Sequence, residues 1–107
     1  MEKETDTLIG QATEQQIAEW KKMHGDVWAL KCDGHIAYLK RPSRKALSYA
    51  SVASNNGKDQ IKFVETVLED CFIGGSQEFK KNDAFFMGVS KVIAELVEVK
   101  EVVLGNL

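Results

Sequence analysis

Cysteine and long apolar runs are both scarce in this sequence, and each scarcity excludes a class of protein. The two cysteines among 107 residues, Cys32 and Cys71, are too few for a disulfide framework, so we expect reduced thiols. No apolar run approaches the roughly 20 residues of a membrane-spanning helix. The first six residues lack the basic-then-apolar order of a signal peptide. We therefore expect a cytoplasmic protein that does not enter a membrane.

An excess of positive charge is also missing. The chain has 14 basic and 16 acidic residues and a net charge of −2, so no overall field draws it to nucleic acid or to an anionic membrane. The apolar fraction of 44% is ordinary for a globular protein, and the length predicts one domain.

An N-terminal helix and a β-hairpin are predicted for the first part of the chain. Thr13 and Gln16 have the spacing of a capping box, and Gly25 has the position of a C-terminal cap. Asp33-Gly34 favours a type I′ turn, because both central residues of that turn need positive φ. The turn predicts a hairpin at about 27–41 with three cross-strand pairs on one face: Cys32 with His35, Leu30 with Ala37, and Trp28 with Leu39.

Three further helices are predicted after the hairpin. The first is capped by Ser43 and runs to about Ser54, and the second is capped by Asp59 and runs to about Phe72. The third starts at Asn82 or Asp83 and extends to about Gly105, with apolar residues repeating at helical spacing. The predicted fold class is α+β and mostly α: an N-terminal helix, a β-hairpin, then three or more packed helices. Residues 1–12 are expected to be flexible or only locally docked, and residues 13–107 form the single domain.

The two faces of the hairpin differ in composition. One face, with Trp28, Leu30 and Leu39, is predicted to be core. The other face carries Ala29, Ile36 and Tyr38 among polar residues, and Tyr38 is expected to be the more exposed side chain. This second face and an unpaired hairpin edge are candidate protein-binding surfaces, since edge pairing and helix-in-groove docking are common ways to bind a chain.

Metal binding and catalysis both lack the residue patterns they require. Cys32-x-x-His35 has a possible chelate spacing, but it spans a hairpin turn, and Cys71 and His24 do not form a second closely spaced pair. A nucleophilic cysteine needs a base, an orienting group and an oxyanion site, which a two-stranded hairpin does not offer. We therefore predict no enzyme activity, no metal and no cofactor.

A small basic cluster lies where the hairpin ends and the next helix starts. It consists of Lys40, Arg41, Arg44 and Lys45. The cluster could bind a phosphate, but the acidic balance of the chain and the lack of a reading motif argue against a nucleic-acid protein. A basic edge strand is also a common guard against aggregation.

The segment Asp33-Gly34-His35-Ile36-Ala37-Tyr38-Leu39-Lys40-Arg41-Pro42-Ser43-Arg44 resembles the small tail assembly chaperones of long-tailed bacteriophages and prophages. Further features are similar in order: Leu68-x-x-Cys71, the stretch Gly74-Gly75-Ser76-Gln77-Glu78, and an acidic-apolar end from Glu95 to Leu107. The resemblance covers roughly residues 27 to 107 and does not include the first helix.

The resemblance implies a function. The family would hold the tape measure protein soluble in the bacterial host during tail assembly, by binding its apolar helical segments. It has no catalytic residues to carry over. The expected partner is therefore a phage tail protein, and the alternatives are a homo-oligomeric structural or adaptor protein and a nucleic-acid accessory protein. The candidate partner-binding residues are Ala29, Ile36, Tyr38, Lys40, Arg41 and Arg44.

Overall fold

The computed structural model describes residues 8–97 and 100–107. It has the predicted α+β class, with a helix, a β-hairpin and then a helical part. The elements in order are α1 (Glu14–His24), β1 (Val27–Cys32), β2 (His35–Lys40), α2 (Arg44–Ala53), α3 (Gln60–Cys71), β3 (Phe72–Gly75), α4 (Glu78–Lys81), α5 (Asp83–Val92) and a 3₁₀ helix (Ile93–Leu96).

The predicted caps begin the helices, because a short polar side chain accepts a hydrogen bond from an orphan backbone N–H. The Thr13 hydroxyl accepts from Gln16 N at 3.1 Å, and the Ser43 hydroxyl accepts from Ala46 N at 3.0 Å. Asp59 caps α3 through Lys62 N, and Asn82 caps α5 through Ala84 N.

The hairpin has the predicted register. Asp33 and Gly34 adopt φ of 46° and 80°, as the type I′ turn requires, and Trp28, Leu30 and Cys32 face Leu39, Ala37 and His35. Leu39 is 1% exposed, and the half-buried Trp28 and Leu30 pack against the core, so these three residues lie on the core face as predicted.

A third strand, which the sequence analysis did not predict, changes the sheet. β3 pairs antiparallel with β2, so the strand order is β1-β2-β3 and β2 is central. Ile9 adds a parallel bridge to β2: its N–H donates to Gly34 O at 2.8 Å, and its carbonyl accepts from Ile36 N at 2.9 Å. Residues 8–12 are thus docked on the sheet, while residues 1–7 of the predicted flexible segment lie outside the described residues.

The core lies between the sheet, α2, α3 and the last helical segments. Its buried members include Leu39, Ala50, Val64, Leu68 and Phe86. The predicted last helix is too long, because α5 ends at Val92 and the 3₁₀ helix ends at Leu96. Val103, which the predicted last helix includes, is non-helical and 84% exposed, and Val99 of that helix lies outside the described residues.

Candidate protein-binding site

Tyr38 and Ile36 are not surface residues, and the predicted exposure of Tyr38 is wrong. Tyr38 is 4% and Ile36 5% exposed. The Trp20 ring of α1 lies 5.2 Å from the Tyr38 ring, and the Tyr38 hydroxyl accepts a hydrogen bond from Ala12 N at 3.2 Å. The chain's own first helix and residues 8–12 thus cover the half-apolar face of the hairpin.

Arg41 is tied to the fold by three contacts. Its Nη1 donates to the Leu96 carbonyl at 2.9 Å, and its Nη2 donates to the Asp26 carboxylate at 3.2 Å. Its guanidinium also lies 4.7 Å from the centre of the Trp28 ring, which is a cation–π distance. This side chain joins the end of β2 to the 3₁₀ helix, a structural role.

The other candidate residues do not form one surface with these. Ala29 is exposed on β1, Lys40 is half-buried at the end of β2, and Arg44 is exposed at the start of α2. Since Ile36 and Tyr38 are buried and Arg41 is engaged within the fold, the six predicted residues do not provide a continuous binding face.

The cysteines and histidines are dispersed. Cys71 is fully buried in α3, and burial, together with the charge of Asp70, raises the pKa of its thiol from 9.0 to about 12. It is therefore protonated at neutral pH and is not a thiolate nucleophile. Cys32 is half-buried on β1. Within residues 8–97 and 100–107, no three metal-ligating side chains come together.

One polar pair escaped the sequence analysis. His35 Nδ1 lies 2.8 Å from Ser76 Oγ, and the His35 ring meets the edge of Phe85 at 5.2 Å. Ser76 is buried, and its hydroxyl accepts from Glu78 N at 3.2 Å as α4 begins. Among the described residues, none supplies a carboxylate hydrogen-bonded to the His35 ring. The pair therefore connects β2 to the start of α4, and it lacks the third member of a catalytic triad.

An apolar groove of about 460 Å³ lies between α3 and the α5–3₁₀ segment. The α3 wall presents Ile61 and Val64, and the opposite wall presents Met87 and Ile93. The Ser90 hydroxyl, which also lines the groove, donates to the Met87 carbonyl at 2.6 Å, so its polar group is already satisfied. The complete lining is Leu47, Gln60, Ile61, Phe63, Val64, Val67, Met87, Ser90, Ile93, Ala94 and Val97.

Two side chains at the rim make this groove accessible. Ile61 is 54% exposed on one wall and Met87 50% exposed on the other. Ile61 has the spacing of the apolar stripe of α3, yet more than half of its side chain remains accessible. An unbranched, adaptable methionine facing an isoleucine is typical of surfaces that bind varied apolar segments.

Nothing among protein-family models, characterised proteins or solved structures matches this chain. None of the helices described is both long enough and apolar enough to cross a bilayer.

The second predicted surface, the hairpin edge, is only half available. β3 and Ile9 occupy the outer edge of β2. The outer edge of β1 has no partner strand among the described residues.

Proposed function

We propose that this chain is a tail assembly chaperone of a long-tailed phage or prophage, a non-catalytic factor that keeps the tape measure protein soluble in the bacterial cytoplasm. Two points support the proposal: the resemblance of the segment Asp33–Arg44 and the features after it, and the open apolar groove between α3 and α5. The groove is the observation that carries it.

The groove suits an amphipathic helix. Such a ligand inserts apolar side chains spaced at i, i+3, i+4 and i+7, and α3, with 12 residues, is about 18 Å long, enough for about three turns of a partner. Ile61 and Met87 would contact the two sides of the inserted ridge. A transient chaperone needs only micromolar affinity, about −8 kcal/mol, which a modest interface with a few apolar anchors provides.

The test is co-expression with the tape measure protein of the same phage or prophage. We expect that protein to be insoluble alone and soluble with the wild-type chain. Ile61→Asp combined with Met87→Asp should abolish the rescue, because a carboxylate on each wall makes burial of apolar side chains costly.

A matched control separates binding from folding. Met23 is 73% exposed on α1, away from the groove, so Met23→Asp should retain the rescue. The melting temperatures of both variants should stay within a few degrees of wild type, as surface changes usually cost less than about 0.5 kcal/mol. A tape measure protein that is soluble without help, or full rescue by the doubly charged groove variant, would contradict the proposal.

The homo-oligomeric adaptor remains the alternative, and one observation favours it. Val102, Val103 and Leu104 are each at least 84% exposed. Self-association would cover them whether or not the chain is a chaperone.

A further inference from the structure

The residues after the 3₁₀ helix form an apolar end segment, defined here as residues 101–107. Val102, Val103 and Leu104 are 85%, 84% and 98% exposed, and the segment is neither helix nor strand. The described residues measure 62 × 31 × 21 Å along their principal axes. Their radius of gyration is 16.1 Å, which is larger than the value of about 13 Å usual for a compact domain of this length. An exposed run of three adjacent large apolar residues marks an interaction site.

The outer edge of β1 has a defined set of backbone groups facing away from β2. The Ile36 N–H donates to Ile9, and the Ile36 carbonyl accepts from Ser76 N, so Ile36 is directed away from β1. Its cross-strand partner Lys31 is then a non-hydrogen-bonded position in the β1–β2 ladder. By alternation, the backbone N–H and C=O groups of Val27, Ala29 and Lys31 point outward.

The core face of the sheet is incomplete at this edge. Ala37 and Leu39 of β2 are 0% and 1% exposed, whereas their partners Leu30 and Trp28 on β1 are only half-buried. Beside them a cavity of about 290 Å³ opens between β1 and the last helical segments. Its lining is Trp28, Ala29, Leu30, Lys31, Leu39, Val92, Ile93, Glu95 and Leu96.

We propose that the end segment of a second copy of this chain adds to β1 as a fourth, antiparallel strand and fills this cavity. The valines favour a strand, and strand addition to an open edge combines backbone hydrogen bonds with pockets for alternate side chains. The proposal rests on the edge, the cavity and the end segment, so it is independent of the proposed function.

In one register the hydrogen-bonding backbone groups of the two strands face each other and their apolar side chains lie on the same face. It places Glu101 opposite Lys31, Val103 opposite the small Ala29, and Gly105 opposite Val27, at the outward-facing backbone positions. Val102 and Leu104 then lie opposite Leu30 and Trp28 on the core face, next to the cavity. Opposite charges at Lys31 and Glu101 favour this register, because directly opposed cross-strand pairs interact.

Reciprocal exchange gives a closed dimer. Each copy has one donor segment and one acceptor edge, so two copies related by a two-fold axis satisfy both. The end segment is almost fully exposed on its own chain, which shows that its own β1 does not hold it. A second copy is therefore the occupant that the structure favours.

The first test is the mass of the full chain in solution by light scattering during size-exclusion chromatography. We expect twice the 12.0 kDa chain mass at tens of micromolar. Val103→Asp with Leu104→Asp should return the monomer or raise the dimer dissociation constant at least tenfold. Met23→Asp, a charge at an exposed position on α1, should leave the dimer intact. A wild-type monomer at these concentrations, or a dimer unaffected by the double variant, would overturn the proposal.

The second test fixes the register, in a Cys32→Ser background. Protein with Ala29→Cys is mixed with protein carrying Val103→Cys and oxidised mildly. A cross-linked dimer should form rapidly in the mixture and at least tenfold more slowly when Met23→Cys replaces Ala29→Cys. Equal rates with both partners would refute pairing at β1. A monomeric internal disulfide in the chain carrying both cysteines, without dimers, would assign the edge to the chain's own segment and refute the second copy.

Discussion

Gly75→Ala should be among the most destabilising single-methyl additions in this chain. Gly75 has a φ of +110°, and a Cβ built there lies 2.5 Å from Ala37 Cα and 2.6 Å from the Ile36 carbonyl oxygen. Both contacts are with backbone of the central strand, so neither can move without disturbing β2. An ordinary contact of this kind is about 1 Å longer, and β3 must withdraw by a similar distance.

The loss of stability has three parts. The positive φ costs about 1–2 kcal/mol for a residue with a Cβ. Overpacking costs about 1–3 kcal/mol, and weakening of the Ser76 N to Ile36 O hydrogen bond costs about 1 kcal/mol. We therefore expect a loss of about 3–6 kcal/mol, against the 5–15 kcal/mol typical of the free energy of unfolding.

Urea unfolding followed by tryptophan fluorescence measures this loss as a lower midpoint at constant slope. Gly57→Ala is the matched control, because Gly57 has a φ of +84° and its added Cβ would meet nothing within 4 Å. The control carries the backbone cost without the collision, so it should lose only about 1–2 kcal/mol. Equal losses in the two variants would show that the close approach of β3 to β2 is not sterically limiting.

Two further predictions concern the core. Leu39→Ala should cost about 2–5 kcal/mol by urea unfolding, because Leu39 is 1% exposed on the central strand, and a loss below about 1 kcal/mol would contradict its burial. The raised pKa of Cys71 should make stability fall with alkaline pH: the unfolded thiol loses its proton near pH 9.0, while the folded thiol keeps it up to about 12. The free energy of unfolding should be unaffected by this group below pH 9 and decrease between about pH 9 and 12, and Cys71→Ala should lack that part of the decrease.

Interactions between residues close in sequence were sufficient to predict the hairpin and the first residues of the helices. Asp33-Gly34 specifies its turn through backbone conformation alone, and the turn then sets the whole register from Trp28 to Leu39. Thr13, Ser43 and Asp59 cap their helices through hydrogen bonds to residues three positions away. Such interactions depend on neighbours in sequence, so the sequence predicts them well.

The third strand depended on distant contacts. Phe72–Gly75 has two glycines and no alternation, so it lacks a strand pattern. It becomes a strand because Gly75 lets the backbone approach β2, while the open side of Gly74 receives the Trp20 ring: a Cβ on Gly74 would lie 2.8 Å from that ring. The Gly74-Gly75 pair was the signal in the sequence for this close approach.

The predicted exposure of Tyr38 was wrong for a related reason. Tyr38 was predicted to be accessible because only the opposite face of the hairpin was expected to be covered by helices. In the structure Trp20 of α1 covers the Tyr38 face as well. The groove was not predicted, because Ile61 has the spacing of the apolar stripe of α3 and Met87 lies outside the apolar stripe of α5. In the structure both side chains stay about half exposed at the rim of the groove.

The central position of β2 also orders events during synthesis. β1 and β2 are joined by a two-residue turn, whereas Ala37 pairs with Gly75, ~38 residues later in the chain. At 5–20 residues per second, β3 leaves the ribosome about 2–8 s after β2. Throughout that interval the outer edge of β1 is open, and the outer edge of β2 has no partner beyond the bridge to Ile9. The sheet therefore gains β3 only after α2 and α3 have been made. These two helices emerge before the strand that completes the sheet exists.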